Sequence, residues 1–214
     1  MMHLEIEQKN LKAVSIAMAV KDIRYYLQGV LIESNGQETR LVATDGHRLH
    51  AVIQESEQPM REAESFIMPL DMVKKCVSAK APKQDRSPLV LIDYEAGKIT
   101  AKLPDGSSIV YQATDGQFPD YTRIIPRDIP ETPEAAVFNP EYVADAVKGY
   151  CLFAEHSGKT PPSIGLRPNG SACGFLSAGG FTAIVMPMRA ELSPNPDVRL
   201  TMPLQSPAEL EAVA

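Results

Sequence analysis

The chain has 214 residues, 44% of them hydrophobic, enough to bury a real core in one domain or two small ones. Its formal charge of -6 argues against a protein that grips nucleic acid over its whole surface, while leaving room for a local basic face. Three widely spaced cysteines, Cys76, Cys151 and Cys173, read as buried reduced thiols rather than a disulfide or zinc framework. No run is long enough to span a membrane and the N-terminus does not look like a leader, so a cytoplasmic protein is expected, with no metal or cofactor.

In chain order, Leu4-Glu5-Ile6-Glu7 alternates as a short strand. Asn10 is then expected to cap a helix to about Val20, with Leu11, Val14 and Met18 at helical spacing. Lys21 to Tyr26 reads as a polar loop, Leu27 to Glu33 as a strand, and Asn35-Gly36 as a hairpin turn leading into Thr39 to Ala43. A further strand runs to about Gln54, and the charged stretch Glu55 to Glu64 reads as a linker. The same order then repeats. Ser65 to Pro69 is a strand and Leu70 to Lys80 a helix. Leu89 to Tyr94, Lys98 to Leu103 and Ser108 to Ala113 are strands, the last two joined at Asp105-Gly106. A third copy follows the proline-rich connector Pro119 to Pro133. In it, Ala135 to Phe138 is a strand and Asn139-Pro140 caps a helix to roughly Glu155 with Tyr142, Ala146 and Tyr150 on one stripe. Ser163 to Leu166, Ala172 to Leu176 and Thr182 to Met186 are its strands. Three strand–helix–hairpin units, each about 60 to 70 residues apart, are too small to stand alone and must share sheets.

Within the first unit, Ala43-Thr44-Asp45-Gly46-His47-Arg48-Leu49 reads as a tight Asp-Gly bend between two strands. Asp45 and His47 invite a catalytic reading, with Asp115 as a third group. No nucleophile signature, metal set or phosphate loop accompanies them, so no enzyme is expected and a structural or binding role is preferred for His47.

Four blocks resemble the bacterial sliding clamp, the beta subunit of the replicative DNA polymerase III, and occur in that family's order. They are 22–31 (Asp22-Ile23-Arg24-Tyr25-Tyr26-Leu27-Gln28-Gly29-Val30-Leu31), the 43–49 bend, 118–126 (Phe118-Pro119-Asp120-Tyr121-Thr122-Arg123-Ile124-Ile125-Pro126) and 185–189 (Val185-Met186-Pro187-Met188-Arg189). The resemblance implies an α+β DNA-clamp fold of repeated strand–helix–hairpin half-units, with antiparallel sheets outside and helices inside. Residues 1–130 resemble a complete clamp domain, the middle one, and 131–190 the C-terminal half of the last domain. Residues 191–214 form a tail.

The resemblance also implies two sites. One is a pocket for the short linear peptides of polymerases, repair factors and other clamp-binding proteins. Its matching positions are Leu27, Thr44, Gly46, His47, Leu49, Pro119, Arg123, Ile124, Ile184, Met186, Pro187, Met188 and Arg189. The apolar and methionine side chains among them suit an adaptable floor. The other is a sequence-independent contact with double-stranded DNA through Lys21, Arg24, Tyr25 and Tyr26, where cations and aromatics suit phosphates and bases. Lys12, Lys74, Lys75, Lys80 and Lys148 lie on or beside the expected helices, as a basic hole requires. Leu70-Asp71 stands where the family has a basic pair. A homo-oligomer is expected, which as a ring around DNA would give processivity; a monomer or an open dimer fits the sequence equally well. The alternative is a decoy or adaptor that uses the peptide groove without encircling DNA.

The tail carries Arg199-Leu200-Thr201-Met202-Pro203-Leu204, similar to the clamp-binding peptide pattern except that Arg199 replaces a glutamine. If this segment occupies the groove, deleting the residues after Arg189 raises affinity for a fluorescently labelled clamp-binding peptide. Unchanged affinity in an anisotropy titration rejects that role.

Overall fold

Period-two burial builds the first element: β1 (Met2–Glu7) buries Met2, Leu4 and Ile6 and turns His3 and Glu5 outward. It runs directly into α1 (Gln8–Ser15), whose Leu11 and Val14 are fully buried. The first unit is completed by β2 (Gly29–Ser34), β3 (Glu38–Thr44) and β4 (Arg48–Glu55). The second comprises β5 (Glu64–Pro69), α2 (Leu70–Ser78), β6 (Leu89–Glu95), β7 (Lys98–Lys102) and β8 (Ser108–Gln112). The third comprises β9 (Val137–Phe138), α3 (Pro140–Phe153), β10 (Arg167–Asn169), β11 (Cys173–Ala178) and β12 (Phe181–Val185), and is followed by β13 (Pro187–Met188). The computed structural model describes residues 1–56, 59–85, 87–126, 136–154, 165, 167–169 and 173–189.

The units share sheets, as their size requires. One sheet has the order β1-β6-β7-β8, another β10-β11-β12-β4-β3-β2-β5, and β13 pairs with β9. Units one and two exchange their first strands: β1 lies against β6 and β5 against β2, both antiparallel. The third unit joins the first through β12, paired antiparallel with β4 from Phe181 opposite Val52 to Val185 opposite Arg48.

The long sheet is covered on both faces, which is why β3 reads Leu41-Val42-Ala43 without a polar break. Val30, Ile32, Leu41, Ala43 and Val52 join the core shared with the helices. Leu31, Val42, Leu49 and Ile184 face the other way and are covered by Phe118, Tyr121 and Ile125 of the segment after β8. That segment is therefore a structural layer as well as a connector.

Several sequence expectations need correction. Asn10 does not cap α1; it is buried in the first turn and donates to Gln54 Oε1 of β4 at 3.0 Å, which no local pattern signals. The helix ends at Ser15, short of Val20. The polar loop contains a 3-10 turn, Tyr25–Leu27, so the strand starts two residues later than expected. The second helix stops at Ser78. Cys76 and Cys173 are buried, but Cys151 is only half-buried. In the third unit the Asn139 cap is present, its side chain accepting from Glu141 N–H at 2.9 Å. Of the expected strand at 163–166 only Gly165 is among the described residues, and it is not in a strand; the tail lies outside them.

His50 stands where the first and third units meet. It is fully buried; its Nδ1 donates to the Ala13 carbonyl of α1 at 2.9 Å, and its ring lies edge-on to Phe181 of β12. A Cβ at Gly149 of α3 would sit 2.9 Å from the imidazole, so the helix can approach there only as glycine. Burial, partly offset by the Ala13 bond, lowers its pKa from 6.5 to about 4. The folded state therefore holds the ring neutral while the unfolded chain protonates it. Stability from this site is complete above pH 6.5 and is lost as pH falls toward 4. Urea unfolding at pH 7.5 and 4.5 checks this: His50→Gln should lose about 2 kcal/mol less than the parent across that interval.

Candidate functional site

The Asp-Gly bend between β3 and β4 is held by its own side chains. Thr44 Oγ1 donates to Arg48 O at 2.6 Å and accepts from Gly46 N–H at 3.0 Å. Asp45 Oδ1 accepts from the N–H groups of His47 and Arg48 at 2.9 and 3.1 Å. The Asp45 carboxylate is thus committed to the turn, which removes it as a base for His47. Gly46 has φ +93°, and Arg24 Nη1 lies 3.0 Å from where its Cβ would be, so a larger residue is strained and displaces the guanidinium.

Arg48 fastens this bend to the third unit. Its side chain is 13% exposed; Nε donates to Asp45 at 3.0 Å, Nη1 pairs with Asp145 of α3, and the guanidinium lies 4.7 Å over the Tyr142 ring. His47 stacks on the same ring with centroids 6.2 Å apart. At the end of β12, Met186 N–H donates to His47 O at 2.8 Å, so the Met-Pro-Met end and the Gly-His-Arg bend touch.

Between them opens an apolar groove of about 240 Å³. Its floor is Leu49 and Ile184, both fully buried. One wall is Leu27 and Arg24, and the other is Pro119, Asp120, Tyr121 and Ile124. Met186 and Ile124 reach the surface at 37% and 39% exposure. The second wall is pinned to the sheet by Tyr121, whose hydroxyl donates to Glu33 at 2.6 Å. Burial, then the Glu33 bond, raises that phenol to about 12, so the pin stays protonated throughout the neutral range.

Of the expected peptide positions, Leu27, Thr44, Gly46, Leu49, Pro119, Ile124, Ile184 and Met186 line this one groove. The others do not line it. His47 lies against Tyr142, Pro187 and Met188 form β13 on β9, and Arg189 is exposed. Arg123 is turned outward to Asp120 at 2.9 Å, its side chain 82% exposed. Four lining residues were not anticipated for the groove: Arg24, Arg48, Asp120 and Tyr121. All four sit inside blocks already singled out, so their neighbours were the available signal.

The expected DNA loop divides by environment. Lys21 and Tyr25 are exposed, as is Ile23 beside them, while Tyr26 is half-buried against Leu31 and its neighbours. Arg24 turns toward the groove; it donates to both Asp22 oxygens, at 3.0 and 2.6 Å, and to Asp45 O at 3.1 Å. The guanidinium holds the Asp22 carboxyl down to about 2. Among the described residues no group of three His, Cys, Asp or Glu side chains could hold a metal ion, and no helix is long and apolar enough to cross a membrane.

Strand–helix–hairpin half-units that exchange strands, with antiparallel sheets and helices against one face, define a clamp-type α+β fold. The chain superposes on the crystal structure of DNA polymerase III subunit beta from Pseudomonas aeruginosa with a TM-score of 0.69 at 20% identity, covering 89% of this chain and 67% of that one. On the Thermotoga maritima beta subunit the TM-score is 0.68 at 18% identity, covering 89% and 66%. Residues 4–120, just over half the chain, match the family described as DNA polymerase III beta subunit, central domain, and the chain belongs to that family. The beta sliding clamp of Pseudomonas aeruginosa is 35% identical over 113 residues, 53% of this chain and 30% of that protein. The matched part thus spans about a third of its curated relatives' length.

Proposed function

We propose that the chain is a sliding-clamp-like protein of DNA replication. Its groove receives short linear peptides of polymerases and repair factors, and its copies assemble around double-stranded DNA without reading sequence. Residues 1–130 act as one complete clamp domain and 131–190 as a further half-domain, with 191–214 as a tail. The chemistry is binding, not catalysis.

The observation that carries this is the meeting of the Gly-His-Arg bend with the Met-Pro-Met end, through Met186 N–H and His47 O at 2.8 Å. It brings together residues far apart in sequence to make an apolar trough with polar groups at its rim. An extended peptide with two or three apolar side chains fits such a trough, and Gly46 lets its backbone come close. His47, Arg123, Pro187, Met188 and Arg189 then contribute from the rim. The adaptable thioether of Met186 suits several peptides in turn. Lys21, Arg24, Tyr25 and Tyr26 make the DNA contact, with the exposed Lys21 and Tyr25 leading it.

Two measurements test the two halves of this reading. Met186→Ala and Ile124→Ala each remove partly exposed apolar surface from the groove. Each should weaken a labelled clamp-binding peptide by about five- to tenfold, roughly 1 kcal/mol, without changing circular dichroism. Equal binding by both variants rejects the groove. For the DNA half, protein loaded on closed circular DNA should be retained through a high-salt gel-filtration step and released when the circle is cut. Equal retention on both topologies rejects encirclement.

A further inference from the structure

The seam between β4 and β12 carries a second hollow beyond the groove. Successive pairs on the same face of this seam are Leu49 with Ile184, then Ala51 with Thr182. The first pair is bulky and floors the groove. The second is small and leaves a cavity of about 340 Å³, larger than the groove itself. Val42 of β3 and Tyr121 and Ile125 of the connecting segment wall it. Ile53, the next residue of β4 on that face, also lines it and is 45% exposed.

The surroundings say what fits. Tyr121 lines both spaces, so the cavity and the groove are neighbours along one seam. A strand rises about 3.4 Å per residue, which puts Ile53 roughly 14 Å from Leu49 along β4. An extended chain laid over both crosses that distance in about four residues. Among the described residues, the one charged side chain lining the cavity is Arg40 of β3, 47% exposed. Its Nε donates to Glu38, and a guanidinium has several N–H groups, so it can hold a second carboxylate as well.

We infer that this cavity is a second anchor for the partner peptide. A chain seated in the groove continues past Tyr121, places one more apolar side chain over Ala51 and Thr182, and sets an acidic residue against Arg40. The partner segment is therefore longer than the groove alone requires: its apolar residues are followed, about four positions on, by another apolar residue beside Asp or Glu. This deepens the groove of the proposed function and rests on it. The test separates the two by comparing short with long peptides.

Anisotropy titrations of the full chain use three labelled probes. One is the short clamp-binding peptide; the others add Gly-Ser-Leu-Glu at its C-terminus or Glu-Leu-Ser-Gly at its N-terminus. One of the longer probes should bind about tenfold more tightly than the short one. Ala51→Leu fills the hollow and should erase that gain while leaving the short probe unchanged. Ile53→Lys alters only a partly exposed position, should do the same, and decides where the leucine variant departs from the parent in circular dichroism. Exchanging the added glutamate for lysine in the probe should cut the gain about threefold.

No gain from either extension, or a gain that the deciding variant leaves intact, overturns the second anchor while the groove stands. A gain indifferent to the lysine exchange overturns the pairing with Arg40. A gain seen only after the residues beyond Arg189 are deleted assigns the cavity to the chain's own tail, and overturns the inference. A parent that binds none of the three probes overturns the groove, and this anchor with it.

Discussion

The antiparallel pairing of β12 with β4 is the constraint on which the rest depends. It extends the first unit's sheet with the third unit's strands, and it sets Ile184 opposite Leu49 as the floor of the groove. Without it, α3 would lose its place beside α1 and β4, and Met186 would have no reason to be near His47. The ladder alone leaves the two units free to twist about their shared strands. Arg48 removes that freedom, because one guanidinium holds the bend through Asp45, the helix through Asp145 and the aromatic face of Tyr142. A planar donor with several N–H groups can serve all three partners at once, which an ammonium could not.

The groove is consequently preformed. Its rim is set by hydrogen bonds inside the Asp-Gly bend and its far wall by Tyr121 on Glu33, so a peptide bound as proposed would find little backbone left to order. What stays adaptable is the side chains of Met186 and Ile124 at the mouth. A rigid frame with a soft lip favours a site that accepts related sequences over one that demands a single sequence.

Much of the fold was legible because each unit repeats one grammar. Hydrophobic alternation marked the strands, and Asn35-Gly36, Asp105-Gly106 and the Asn139-Pro140 cap punctuated them. The errors arise where tertiary partners overrule local chemistry. Asn10 looks like a cap by residue type, yet a glutamine 44 residues away claims its amide inside the helix. The Arg48–Asp145 pair spans 97 residues, and no spacing rule could reveal it. The groove was legible in its apolar members, since buried residues flanking a tight bend have few other places to go. Its charged members were harder, because where an arginine points depends on the nearest carboxylate. Arg24, assigned to DNA, also bonds to Asp22 and Asp45, and Arg123, assigned to the groove, reaches its rim paired with Asp120.

The exchange of first strands between units one and two bears on how the chain reaches its native state. The opening residues Met2–Glu7 have their ladder partner in Leu89–Glu95. During synthesis the leading strand must therefore wait, unmated, until the polypeptide that will hold it has left the ribosome. The first two units cannot mature one after the other; they interlock in a single late event dominated by contacts remote in sequence, which makes for slow, highly cooperative acquisition of structure.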